Sequence, residues 1–129
     1  MNLTRAGCGL AVLRIVVGIV FLVHGYQKLF KIGIHGVGTM FGHIGIPFPE
    51  FFAVVVSLVE LVGGILLVLG IATRIAAALN AVDMLVAVFA VHLRHGFYNQ
   101  NMGFEYPLVM LAATLCLTLE GGGALSLRS

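Results

Sequence analysis

Four apolar runs, at roughly 7–29, 51–70, 73–92 and 105–119, alternate with polar or glycine-rich connectors along this chain. A helix crossing a bilayer needs about 20 apolar residues. The pattern therefore predicts an all-α fold, an integral membrane four-helix bundle, with the short last run completed at its start by residues 101–104. Only the turn at 70–73 separates the second and third runs, so they form a tight antiparallel hairpin. Residues 31–50 are of another kind: glycines, histidines and prolines surround Val37, Met40, Phe41 and Ile44 at the spacing of a short amphipathic helix. Such a piece lies in the interface or folds back over the bundle, and Pro47 and Pro49 then stop it and launch the second span. With 93–104, it places both long loops on one face of two antiparallel hairpins, opposite the tight turn and the termini.

Composition agrees with lipid as the solvent. Of 129 residues, 60% are hydrophobic and 9% charged, against roughly 25% charged in soluble domains, and the mean hydropathy is +1.12. A single domain, 1–129, uses up the chain. The first run follows Arg5 as a secretory leader would, but it is too long, contains Arg14 and is followed by no small-residue cleavage site, so a retained anchor is expected. A net charge of +2 speaks against nucleic acid as a partner. Basic residues do not orient the chain, because Arg5, Arg74 and Arg128 on the terminal side balance Lys28, Lys31 and Arg94 on the looped side. Arg14 tips the expectation to cytoplasmic termini. Cys8 and Cys116 fall on one side and are expected to be small apolar residues, with a disulfide as the alternative.

The chemistry-bearing residues lie where charge is costly. On a helical wheel Gly7, Arg14, Gly18, Gly25 and Lys28 share one face of the first run, with His24 at its edge; Ala53, Ser57, Glu60 and Gly64 share a face of the second; and Thr73, Asn80 and Asp83 align on the third. Ionisable groups within spans face the bundle interior and mark functional sites. By depth, Glu60 and Asp83 stand near the midplane and Arg14 somewhat below. His24, Lys28, His92 and Glu105 stand toward the looped face. This predicts a polar shaft in which Arg14 pairs with one or both acids beneath a histidine-rich vestibule. A buried ion pair that merely fixes helix register competes with that view, and His35 and His43 are read as solvated.

Several ligands suit these side chains. His24, His92, His95 and Glu105 have the types for a metal but lack an HxxxH or CxxC spacing, and His24 with His92 could hold a haem. A quinone headgroup asks only for a histidine or lysine to donate to a carbonyl oxygen, a carboxylate to relay protons, and aromatics such as Phe21, Tyr26 or Phe97. The catalytic candidates are Glu60 and His24, and the ligand-binding candidates are Arg14, His24, Lys28, Glu60, His92 and Glu105. Asp83, Asn80, Ser57 and Arg74 are the buried polar support. Glycines at 63–64 and 121–123 suggest helix contact between copies, hence a homo-oligomer.

Arg14, the run His24-Gly25-Tyr26-Gln27-Lys28, Gly45-Ile46-Pro47-Phe48-Pro49, Glu60-Leu61-Val62-Gly63-Gly64, Leu69-Gly70-Ile71-Ala72-Thr73-Arg74, His92 before Gly96-Phe97, and Glu105 form a linked set. The set resembles the DoxX family of small four-helix bacterial membrane proteins over nearly the whole chain. The resemblance implies an inner-membrane subunit associated with redox chemistry. Relatives include quinone-linked thiosulfate dehydrogenase subunits and a membrane complex with superoxide dismutase and a sulfurtransferase, a link to oxidative stress. Its motif positions fall on Arg14, His24, Lys28, Glu60, Arg74, His92 and Glu105, whereas Asp83 comes only from the charge pattern. Three functional readings follow: a quinone-binding component of an oxidoreductase, with Glu60 relaying protons toward Arg14; an anchor that recruits soluble redox enzymes; and a small transporter or metal handler.

Overall fold

A computed structural model describes residues 3–127, and among them every regular element is helical. Arg128 lies outside the described residues. Helix α1 (Arg5–Tyr26) starts where the Thr4 hydroxyl accepts the Gly7 amide at 3.0 Å, satisfying one of the free donors of the first turn. It widens into a π-helical segment, Gln27–Ile32, that ends at Gly33. Helix α2 (Ile34–His43) follows, then α3 (Pro49–Leu69), with proline in the first position where no amide is needed. Gly70, at φ 72°, closes α3 while the Ile71 amide returns to Leu66 O at 2.9 Å, so a left-handed glycine cap makes the tight turn. Helix α4 (Thr73–Val86) also passes into a π-helical segment, Ala87–His92. Helix α5 (Glu105–Glu120) ends at Gly121.

Three helical stretches are long and apolar enough to cross a membrane: Arg5–Ile32, Pro49–Leu69 and Thr73–His95. Helix α5, at 16 residues, falls just short of that length. The distribution of side chains is that of a protein in lipid. Val12, Val16, Val62, Ile75, Leu79 and Val82 are exposed, whereas Arg14, Ser57, Glu60, Thr73, Asn80 and Thr114 are buried. Exposed aromatics, including Tyr26, Phe30, Phe48, Phe51, Phe97 and Tyr98, lie at and just past the end of α1, at the start of α3 and in the 93–104 loop, as in an interfacial aromatic belt.

Helix α1 packs most extensively on α3, α4 packs on α5, and α3 joins the two pairs. The α1–α3 crossing is close because glycines face backbone: a Cβ on Gly18 would meet Gly64 O and Val68, one on Gly25 would meet Leu61 N, and one on Gly64 would meet Leu22 N. Gly63 lies against the Asn80 amide group. These glycines thus serve contacts within the chain, and Gly121 and Gly122 are buried as well. Helix α2 forms where its amphipathic spacing predicts and buries Val37 and Gly38 against the start of α3, but Met40, expected on the same face as Val37, is exposed. His35 Nδ1 and Glu50 Oε1 tie the two together at 2.8 Å, but both side chains are exposed. Replacing His35 with alanine is expected to lower stability by less than about 1 kcal/mol, read as a thermal midpoint in detergent.

The tail is the unexpected element. After Gly121 the chain turns beneath the end of α3: the Ala124 amide donates to Gly7 O at 2.9 Å and the Leu127 amide to Leu69 O at 3.1 Å. Arg74, expected among the buried polar groups, is exposed, because it opens α4 at the rim of the bundle beside Gly121. Cys8 and Cys116 are both free thiols.

Candidate functional site

The charged groups of the spans sort into two separate clusters. In one, Lys28 Nζ donates to Glu60 Oε1 at 2.6 Å, with 23% of the lysine side chain and 3% of the glutamate side chain exposed. Asp83 on α4, expected to be buried, is half-buried and is an electrostatic neighbour of the same carboxyl. In the other, Arg14 is fully buried among carbonyls. Its Nε donates to Leu67 O at 2.9 Å, Nη1 to Gly122 O at 2.7 Å, Ala124 O at 2.9 Å and Ser126 Oγ at 2.6 Å, and Nη2 to Leu125 O at 3.2 Å.

The expected pairing of Arg14 with Glu60 or Asp83 is therefore corrected. Matching the two runs by their midpoints sets Arg14 too close to Glu60. In the structure Gly25 faces Leu61 and Gly18 faces Gly64 and Val68, so Glu60 is level with the end of α1 and Lys28 reaches it. Arg14 is left beside the last turns of α3, where helix-end carbonyls lack intrahelical donors and a planar guanidinium can serve several of them at once. Nε and Nη1 of Arg14 are taken up by Leu67 O, the tail carbonyls and Ser126, and Nη2 donates to Leu125 O, so the guanidinium is turned to the tail and not to Glu60.

Around the first cluster, His24 Nδ1 contacts Val20 O at 2.8 Å. A carbonyl only accepts, so Nδ1 carries the hydrogen and the neutral ring keeps Nε2 as an acceptor. The ring stacks on Tyr106 of α5, with centroids 5.7 Å apart and an interplanar angle of 23°. Tyr106 was not among the expected residues, although its place at the start of the last run puts it at the depth of His24. Ser57 and Asn80 are buried as their wheel positions predict. Asn80 Nδ2 donates to Ala76 O at 3.0 Å and Val59 O at 3.3 Å. Ser57 Oγ, Asn80 Oδ1 and Asp83 Oδ2 are buried with no hydrogen-bond partner among the described residues.

The expected vestibule takes another form. His92 Nδ1 donates to Met102 O at 2.7 Å, and Glu105 Oε1 accepts the Asn99 amide at 2.7 Å. The loop also closes on itself through Phe104 N to Gly96 O and Glu105 N to Phe97 O, both at 2.9 Å. His92 and Glu105 thus shape the 93–104 loop, and His95 is exposed on it. The metal candidates His24, His92, His95 and Glu105 do not converge. Among the described residues no group of three or more histidine, cysteine, aspartate or glutamate side chains could hold a metal ion. The π-helical segments, which sequence periodicity did not signal, carry Lys28 and His92, and such departures from the α-helix occur often at functional sites.

Known proteins are similar to this chain over most of its length. The chain is 40% identical over 110 residues to "Putative oxidoreductase CatD" of Bacillus subtilis (strain 168), covering 85% of this chain and 78% of the relative. It is 36% identical over 125 residues to "Uncharacterized membrane protein Rv3486" of Mycobacterium tuberculosis, covering 89% and 76%. With "Inner membrane protein YphA" of Escherichia coli (strain K12) it shares 31% identity over 123 residues, covering 92% and 86%. No solved structure matches the chain. The DoxX family model matches residues 9–93, a stretch that holds Arg14, His24, Lys28, Glu60 and Asp83, and the chain belongs to the DoxX family of membrane proteins.

Proposed function

We propose that this protein is the membrane component of a redox system, a four-span bundle in the bacterial cytoplasmic membrane that binds a quinone or similar small redox ligand between its helices. The observation that carries the proposal is the lipid-shielded Lys28–Glu60 pair, with Asp83 behind it and His24 at the same end of α1. The oxidoreductase name borne by the Bacillus subtilis relative supports a redox setting. A bound quinone would supply two-electron chemistry coupled to proton uptake.

The residues fit such a headgroup by type. Lys28, partly exposed, has three donor hydrogens, of which Glu60 engages one, so it can donate to a carbonyl oxygen. His24 Nε2 is placed to accept from a hydroxyl because Nδ1 is committed to Val20 O. Glu60 and Asp83 can exchange a proton with that end of the site without passing Arg14. An apolar groove of about 280 Å³ between α3 and α4, lined by Leu58, Val62, Leu66, Ile75 and Leu79 over Gly63, is suited to an isoprenoid tail.

Purified protein reconstituted in nanodiscs and titrated with a short-chain quinone provides the test. Lys28→Met and His24→Ala are each expected to weaken binding about tenfold, the ~1.4 kcal/mol of one hydrogen bond to a charged or well-oriented group. Glu60→Gln is expected to slow quinone-linked turnover in membranes while binding persists. Unchanged affinity in both the Lys28 and His24 variants ends the quinone reading. A second reading, recruitment of a soluble redox enzyme, is favoured by the self-closed 93–104 loop, which presents Arg94, Phe97 and Tyr98 outward. It predicts that Arg94→Glu with Tyr98→Ala abolishes co-purification of that partner and leaves quinone affinity intact.

A further inference from the structure

Two contacts of different kinds hold His24. Its Nδ1 donates to Val20 O at 2.8 Å, one turn back on α1, and its ring stacks on Tyr106 of α5, with centroids 5.7 Å apart and an interplanar angle of 23°. The first contact alone would leave a half-buried imidazole on the edge of its own helix, free to change rotamer and to exchange the hydrogen between its two nitrogens. The second comes from another helix. It fixes the plane of the ring, because aromatic rings attract only over a narrow range of separations and angles.

Tyr106 is itself firmly placed. It packs against the core that includes Phe21 and Met110, and the next residue, Pro107, is fully buried. Just before it, the Phe104 and Glu105 amides donate to Gly96 O and Phe97 O, both at 2.9 Å, and the Glu105 carboxylate accepts the Asn99 amide at 2.7 Å. The start of α5 is thereby fastened to the 93–104 loop. The stacked pair also stands beside the Lys28–Glu60 contact, since Gly25, next to His24, meets the backbone of Leu61, next to Glu60.

From these contacts we infer that Tyr106 is a positioning residue for the ligand site: its ring holds the His24 imidazole in one plane and one tautomer, with Nδ1 committed to Val20 O and Nε2 kept as the acceptor for a ligand hydroxyl. The inference rests on the quinone reading for the ligand and on the contacts of His24 and Tyr106 for the geometry. The aromatic ring does the positioning, and the tyrosine hydroxyl has no part in it.

Nuclear magnetic resonance of the full-length protein with isotope-labelled histidine, in nanodiscs without quinone, tests the geometry. In the wild type His24 should show a single tautomer protonated at Nδ1 and through-space cross-peaks to the Tyr106 ring. Tyr106→Phe should keep both signatures, whereas Tyr106→Leu, which fills the space without an aromatic ring, should give a mixture of tautomers. Titration with a short-chain quinone then reads the consequence. Tyr106→Leu is expected to weaken binding about tenfold, as His24→Ala does, while Tyr106→Phe stays within about twofold of the wild type. The double variant His24→Ala with Tyr106→Leu should bind no more weakly than His24→Ala alone, because the two residues act as one unit. Unaltered His24 signals in Tyr106→Leu, or a Tyr106→Phe variant as impaired as Tyr106→Leu, overturn the inference. If Tyr106→Leu does not fold, mixed tautomers or missing cross-peaks in the wild type still overturn it. A wild type that shows both signatures and binds no quinone supports the positioning of His24 and ends the quinone reading instead.

Discussion

Arg14→Ala is expected to destabilise the protein by about 3–5 kcal/mol, the range for breaking a buried charged network, and to release the tail. Four carbonyls and the Ser126 hydroxyl converge on this guanidinium, and without it they stay buried and under-satisfied. Arg14→Lys should recover little, because three donors on one nitrogen cannot span acceptors that belong to α3 and to four residues of the tail. The measurement is the SDS unfolding midpoint of the reconstituted protein, paired with protease sensitivity around residues 121–127. A double-mutant cycle adds a sharper test: Arg14→Lys and Glu60→Gln should act additively within about 0.5 kcal/mol, since the two residues share no partner. Coupling well above that would falsify the separation of the two charge clusters.

Gly25→Ala and Gly64→Ala are the second pair of severe changes. In each the new methyl falls on a backbone nitrogen, of Leu61 or of Leu22. A helix backbone cannot yield as a flexible side chain does, so α1 and α3 must move apart. Overpacking of this kind costs about 1–3 kcal/mol or more. The displacement also draws Lys28 away from Glu60, so quinone affinity should fall together with the thermal midpoint. Gly9→Ala is the control: nothing lies within 4 Å of the added methyl, and alanine is the better helix former by up to about 1 kcal/mol. Its midpoint should hold or rise. If Gly25→Ala behaves like Gly9→Ala, the close α1–α3 crossing is wrong.

Much of the interior was legible beforehand. The wheel faces bearing Arg14, Gly18, Ser57, Glu60 and Asn80 are the faces the structure buries, because a charged or small residue amid apolar ones has few tolerable places in a membrane helix. Proline at 49 and glycine at 70 marked the limits of α3 through backbone rules that act locally. The partners of the charges were not legible. Lys28 rather than Arg14 meets Glu60, and the histidines fix carbonyls instead of converging, since both outcomes depend on how far one helix slides along another.

The chain alone determined that lipid is its solvent, where its helices run and which side of each is turned inward, since hydropathy, periodicity and local backbone rules act within a few residues. Tertiary structure decided the register of α1 on α3, the folding of the tail over Arg14 and the meeting of Lys28, Glu60 and Asp83. Register is set by where glycine lets two backbones touch, and that contact joins residues some forty positions apart, beyond the reach of any periodicity.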